Sequence, residues 1–278
     1  MRDSEYVERI RRHLGEYRES VLGVPAGTWG KVQKPYAHIL PSDAYRLNVV
    51  EPIRESFWRT HAAKGWKCHA LFHHLSSSQA LAFNLFFPVY PRVLANFGTT
   101  RGVLQIDSDA VADLDFEVVL RHADGSEIDG TNIDVLITDG TGTRTIIEVK
   151  LTESRFGSAR SDKDHLQKLT DVYRPLLEGR RPDRLLQPVP FFRDYQLFRQ
   201  LAQIRQGSAD RVLLLLPRAR PELWRFANEW CANPDLGEFC DRVRVVALED
   251  IATGLRSDAR AGDHDMRPYE ALVAKYLF

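Results

Sequence analysis

Two alternating runs, residues 131–138 and 144–152, joined by Asp139-Gly-Thr-Gly-Thr143, constrain this chain more than any other feature. Side chains on a strand alternate faces, so a period of two with a glycine-rich connection predicts a hairpin. With Asp139 and Thr143 flanking a three-residue loop, Asp134 stands opposite Glu148, and Asn132 opposite Lys150. All four then share one face. The other face carries Ile133, Val135, Ile137, Ile147, Val149 and Leu151, which predicts one continuous apolar surface toward the core.

Directly opposed Cβ atoms lie about 5 Å apart. Two carboxylates at that spacing repel, and one rises in pKa unless a cation lies between them. Hard carboxylate oxygens suit Mg²⁺, with Mn²⁺ as a substitute. Lys150, one step along the same face, is placed to act on an attacking water or on a phosphate.

The surrounding sequence predicts what carries this hairpin. Residues 3–22 have the spacing of an amphipathic helix, 23–30 read as a loop, and 43–64 as a helix closed by Gly65. A short strand is expected at 68–72. Ser76 with Gln79 fits a capping box opening a helix that Pro88 and Pro91 end or kink, with a second helical piece to about Phe97. Residues 114–121 read as a strand, closed by a turn at 122–125, so three strands form an antiparallel meander. Residues 162–177 have helical spacing interrupted by Pro175, and 181–190 form a proline-rich loop. A helix at 194–206, a buried strand at 211–216, a helix at 221–232 and a strand at 242–248 follow. The order implies an α/β fold with a mixed central sheet.

Composition narrows the setting. Apolar residues are 44% and charged residues 27% of the 278, enough for a large core. Lysine plus arginine equals aspartate plus glutamate at 38 each, so no global basic field marks a nucleic-acid partner, though a local basic groove is compatible with the balance. Three cysteines argue against a disulfide framework, the charged N-terminal segment does not read as a secretory signal, and no apolar run is long enough to span a bilayer. A cytoplasmic protein without a membrane partner is expected.

At Asn132-Ile-Asp134, a turn, and Ile146-Ile-Glu148-Val-Lys150, the chain resembles the PD-(D/E)XK nuclease superfamily, which places an Asp on one strand and E-x-K on the next. Ile133 stands where the pattern has proline. The stretch from Leu75 through the meander to about residue 217 resembles the restriction-endonuclease-like members. The resemblance implies an αβββαβ core with a mixed central sheet and an N-terminal helical extension, divided as residues 1–74 and 75–278. It implies a metal-dependent hydrolase of phosphodiester bonds, with DNA as the expected partner and a homodimer compatible. Asp134, Glu148 and Lys150 would be catalytic, with Asp134, Glu148 and the Val149 carbonyl holding Mg²⁺. The alternative from the same resemblance is an inactive member that binds nucleic acid or protein. A further alternative is a structural α/β protein whose acidic hairpin is simply solvated.

Supporting residues carry two readings each. Glu117, on the strand before the hairpin with Asp115, is a third carboxylate or an exposed charge, and Glu55 is a competing acid or a helix-surface charge. Gln79 points to the metal or caps its helix. Gln167 touches phosphate or lies on the surface. Exonuclease-like members carry a Gln and a Tyr four residues apart on that helix, whereas here Tyr173 is six after Gln167. Cys68, His69, His73 and His74 suggest a partial zinc set but lack a second pair. Arg155, Arg160 and Lys163 are phosphate contacts or an ordinary charged loop. Arg218, Arg220 and Arg225 are a basic patch or a solvated face.

Overall fold

A computed structural model describes residues 2–90, 93–106, 110–122, 124–180 and 183–278, so Pro91, Ala123 and the start of the loop expected at 181–190 lie outside the described residues. Helix α1 (Asp3–Tyr17) runs on through a wider turn at Arg18–Leu22. A hairpin, β1 (Thr28–Trp29) and β2 (Lys34–Pro35), precedes α2 (Glu51–Lys64). Next come α3 (Ser78–Phe86) and α4 (Gly98–Val103), then the strands β3 (Val111–Arg121), β4 (Glu127–Asp139) and β5 (Arg144–Val149). Short helices α5 (Lys163–Lys168), α6 (Arg174–Leu177), α7 (Pro188–Arg193) and α8 (Tyr195–Ala202) lead to β6 (Arg211–Leu216). Helix α9 (Pro221–Cys231), β7 (Val243–Ala247), α10 (Leu248–Ala261) and α11 (Arg267–Tyr276) complete the order.

The main sheet runs β3-β4-β5-β6-β7, antiparallel through β5 and parallel from β5 to β7. It is the mixed sheet of an α/β fold. The hairpin register is the one the alternation implied, with Val135 paired to Ile147 and Thr138 to Arg144. Helices cover both faces, which is why β6 is apolar at every position from Val212 to Leu216 rather than alternating. Leu213 and Leu215 enter a core shared with α1, α2, α3, α10 and α11. Leu214 and Leu216 enter a second core with α6 to α9. Truncating one of these leucines to alanine costs about 2–5 kcal/mol.

The apolar face of the hairpin is not continuous. Val135, Ile137, Ile147, Val149 and Leu151 share the first core, but Ile133 packs in the second. The pairing continues across this point, Phe116 to Val135 and Val118 to Ile133, yet Phe116 belongs to the first core and Val118 packs against the second. Between them Glu117 has φ of 52°, in the left-handed region that side chains rarely adopt. Both strands therefore change the face they present level with Glu117 and Asp134.

Other boundaries moved for local reasons. The helix expected at 43–64 is a tight turn at Ser42–Asn48 followed by α2, because Pro52 fits only the first turn of a new helix. No strand forms at 68–72; a single bridge joins Ile39 to His74 instead. The helical spacing at 162–177 becomes α5, capped by Asp162, a wider turn at Leu169–Tyr173, and α6, which Pro175 opens. Helix α7 occupies part of the expected proline-rich loop. Helices α10 and α11 lie beyond the expected elements, and their Leu248, Ile251, Leu255 and Leu272 complete the first core.

Candidate functional site

Where β3 and β4 change face beside the end of β5, a cleft of about 590 Å³ opens, lined by Gln79, Glu117, Asp134, Glu148, Lys150 and Gln196 among others. Asp134 and Glu148 do meet there. One oxygen of Asp134 accepts the Val149 N–H at 2.8 Å, which ties the β4 carboxylate to the end of β5. Burial, the Glu148 charge and the Glu117 charge push the Asp134 carboxyl well above its usual range, against the opposing pull of Lys150. Glu117 is level with Asp134 on β3, and burial, with the Glu148 charge adding and a bond from Gln79 opposing, pushes it up to about 7.

Glu148 is 2% exposed and densely held. Lys150 Nζ lies 2.7 Å from its Oε1, the Gln196 amide donates to the same oxygen at 2.6 Å, and the Gln200 amide donates to Oε2 at 2.6 Å. Lys150 also donates to Gln196 Oε1 at 3.0 Å. Burial alone lowers a lysine, but Glu148, Glu153 and Asp134 outweigh it and raise Lys150 above its usual range, so its ammonium stays charged. Both glutamines sit on α8, one turn apart. Neither was found from the sequence, because Glu-x-Lys on a strand gives no sign of which distant helix covers it. Their amphipathic helix was the only available signal.

Helix α8 is itself pinned from behind. Asp129, 7% exposed at the start of β4, accepts from Tyr173 at 3.0 Å and from Gln203 at 3.1 Å, and pairs with Arg199 at 3.2 Å. Thr131 bonds it as well. Charged groups buried in this way demand partners, and the partners here fix the helix that aims Gln196 and Gln200.

The remaining candidates sort plainly. Gln79 lines the cleft, but Ser77 rather than Ser76 caps α3, and no capping box involves Gln79: it accepts from His69 N–H and donates to the Lys67 carbonyl, both at 2.8 Å. Gln167 is exposed, bonded to Asp171 at 2.7 Å, and away from the cleft. Glu55 is an exposed partner of Arg59. Asp115 accepts from Trp66 and pairs with Lys64, outside the cleft. Arg220 is not part of a surface patch: it is 1% exposed, paired with Asp3 at 3.1 Å and bonded to the Leu151 and Glu153 carbonyls. Arg218 pairs with Asp250. Arg155 and Arg225 line a neighbouring cavity of about 740 Å³ that shares Arg11 and Thr152 with the cleft, while Arg160 and Lys163 are exposed and line neither. Cys68 contacts His61 at 3.3 Å.

Among the described residues no group of three or more His, Cys, Asp or Glu is placed to hold a metal ion, so Cys68 and the nearby histidines do not assemble into a zinc set. A cation in the cleft would therefore rest on two carboxylates and a carbonyl, not on a ready cluster of acids. The donors fit in kind: Asp134 and Glu148 are hard oxygen ligands, and the burial and neighbouring carboxylate charge that raise Asp134 and Glu117 are penalties a divalent cation would offset.

Sheet, helices and cleft define an α/β protein with an acidic pocket and one charged lysine beside the level where β3 and β4 change face. The chain matches, over residues 11–277, the family described as Restriction Endonuclease associating with ARP, and it belongs to that family. No curated protein and no solved structure matched it. Among the described residues no helix is long and apolar enough to cross a membrane.

Proposed function

We propose that this protein is a PD-(D/E)XK-type nuclease, an αβββαβ core with an N-terminal extension, that hydrolyses phosphodiester bonds in DNA. Asp134, Glu148 and the Val149 carbonyl would hold Mg²⁺, or Mn²⁺ in its place. The observation that carries the reading is the meeting of Asp134, Glu148 and the Lys150 ammonium in one cleft, in a chain whose family description names a restriction endonuclease. The same description speaks of association with ARP, and a partner of that name is part of the proposal.

When bound, a divalent cation supplies neutralising charge for the phosphate and acidifies water. The chain's own residues supply the rest. Water oxygen forms a bond to phosphorus, the bond from phosphorus to the leaving oxygen breaks, and a proton ends on that oxygen. Lys150 stays protonated, so it serves as a donor and positive charge toward the phosphate and does not act as the base. Gln196 and Gln200 fix the orientation of Glu148, and Gln196 fixes Lys150. Pre-set donors of this kind need no rearrangement as charge develops.

The test is cleavage of circular and linear DNA with Mg²⁺ or Mn²⁺, for wild type, Asp134→Ala and Lys150→Ala. Loss in both variants is expected; undiminished cleavage in both ends the proposal. A second reading, an inactive member that binds nucleic acid, is favoured by one observation: Glu148 already accepts from three donors. It predicts no Mg²⁺ or Mn²⁺ binding at millimolar concentration by calorimetry, with DNA binding retained.

A further inference from the structure

The hairpin between α1 and α2 has no role in the chemistry described above. Its strands hold Trp29 and Lys34 opposite one another, with Lys31 and Val32 at the turn. Trp29 is 44% exposed, Tyr36 36% and Val32 85%. From Val24 to Ser42 the chain carries Lys31 and Lys34 and no carboxylate. Exposed ring faces set beside lysines with no carboxylate nearby are a pairing of charge and rings that suits nucleic acid.

The rings are continuous with the cleft. Tyr36 meets His38 at 6.1 Å between centroids, His38 meets His74 at 6.4 Å, and His74 meets Trp29 edge to face at 5.1 Å. His74 lines the cleft that holds Asp134, Glu148 and Lys150, and so does exposed Arg11. The base of the hairpin is fastened. Gly27 donates to the Ile39 carbonyl at 2.7 Å and accepts from Tyr36 N–H at 3.0 Å, and a Cβ at Gly27 would overlap the Leu40 carbonyl oxygen. Leu40 in turn donates to the His73 carbonyl, and Leu75 to the His38 carbonyl. The platform is thus locked to the segment that leads into α3 and the cleft wall.

We propose that Trp29 and Tyr36 form a stacking platform for unpaired bases of a nucleic-acid strand that passes through the cleft, with Lys31, Lys34 and Arg11 taking its phosphates. This rests on the nucleic-acid reading of the cleft and adds the form of the substrate: at this rim the strand is single. A duplex hides its base faces in its own stack, so only an unpaired base gains from an open indole. Backbone cations add affinity without reading sequence.

The experiment measures binding in EDTA by fluorescence anisotropy, using a labelled single-stranded oligonucleotide and a blunt duplex of the same sequence. The proteins are wild type, Trp29→Ala, Trp29→Phe and Lys31→Ala/Lys34→Ala, each first checked for an unchanged melting temperature. Trp29→Ala is expected to weaken single-strand binding about 10-fold and duplex binding less than about 2-fold, with Trp29→Phe close to wild type. The double lysine variant should lower the salt slope on the single strand by about 1.4. Equal affinity of wild type and Trp29→Ala for the single strand overturns the platform alone, as does an equal loss on both substrates. Wild type binding neither substrate overturns the nucleic-acid reading of the cleft and the platform with it.

Discussion

Replacing Glu117 with glutamine should make the metal-free protein more stable, and only above a defined pH. Glu117 lies where β3 adopts a left-handed residue, and burial with the Glu148 charge pushes it up to about 7 from an ordinary value of 4.5. In the unfolded chain it ionises near 4.5. From there to about 7 the folded state holds a proton that the unfolded state has released, so wild-type stability falls as pH rises through that window and is level beyond it. The difference corresponds to roughly 3 kcal/mol at about 1.36 kcal/mol per pKa unit, reduced to about 2 kcal/mol because the group is partly exposed and denatured chains retain structure. Glutamine keeps the shape without the charge. Guanidinium denaturation in EDTA should therefore show Glu117→Gln more stable than wild type by about 2 kcal/mol at about pH 8.5, a rise of roughly 4–8 °C in Tm. At about pH 4.5 the two should nearly coincide. A gain that is absent, or the same at both pH values, refutes the claim that the folded cleft penalises an ionised Glu117.

The same contacts set three more expected outcomes. Gln200→Leu leaves one oxygen of a 2% exposed carboxylate without its donor, and should cost about 1.5–3 kcal/mol in denaturation and lower cleavage if Glu148 serves the reaction. Arg220→Ala removes the ion-pair partner of Asp3, which keeps its bonds from the Glu222 and Leu223 N–H groups, and frees two carbonyls, so a loss of about 2–3 kcal/mol is expected by the same measurement, against near-neutrality for Arg218→Ala on the exposed pair. Burial lowers His38 and His74 to about 4, with neighbouring positive charge adding, so they stay neutral in the fold while the unfolded chain charges near 6.5. Stability from this pair is present above 6.5 and lost as pH falls toward 4, and His74→Gln should flatten that part of a pH series of unfolding midpoints; an unchanged slope would discount it.

The hairpin was legible in local pattern alone. Its period of two, its glycine-bearing turn and its apolar partners set the register from Val135–Ile147 to Thr138–Arg144. The pairing expected to continue through Asp134–Glu148 and Asn132–Lys150 stops there, yet the local pattern still brings those side chains to one cleft, because each is specified within about 20 residues of chain. The mixed sheet was likewise readable from the order of short strands and helices. What surrounds those side chains was settled by contacts between distant segments. Gln196 and Gln200 reach Glu148 from a helix 48 and 52 residues along the chain, held there by the Asp129 network, and no local pattern encodes that approach. The change of face at Glu117 depends on one backbone torsion that a glutamate does not advertise. Ser77 took the cap expected of Ser76, and Arg220 was drawn inside by Asp3, since burial is a property of how separate elements meet. Alternation along a strand is written in neighbours, whereas the electrostatics of a cleft are written in whatever the folded chain brings to it.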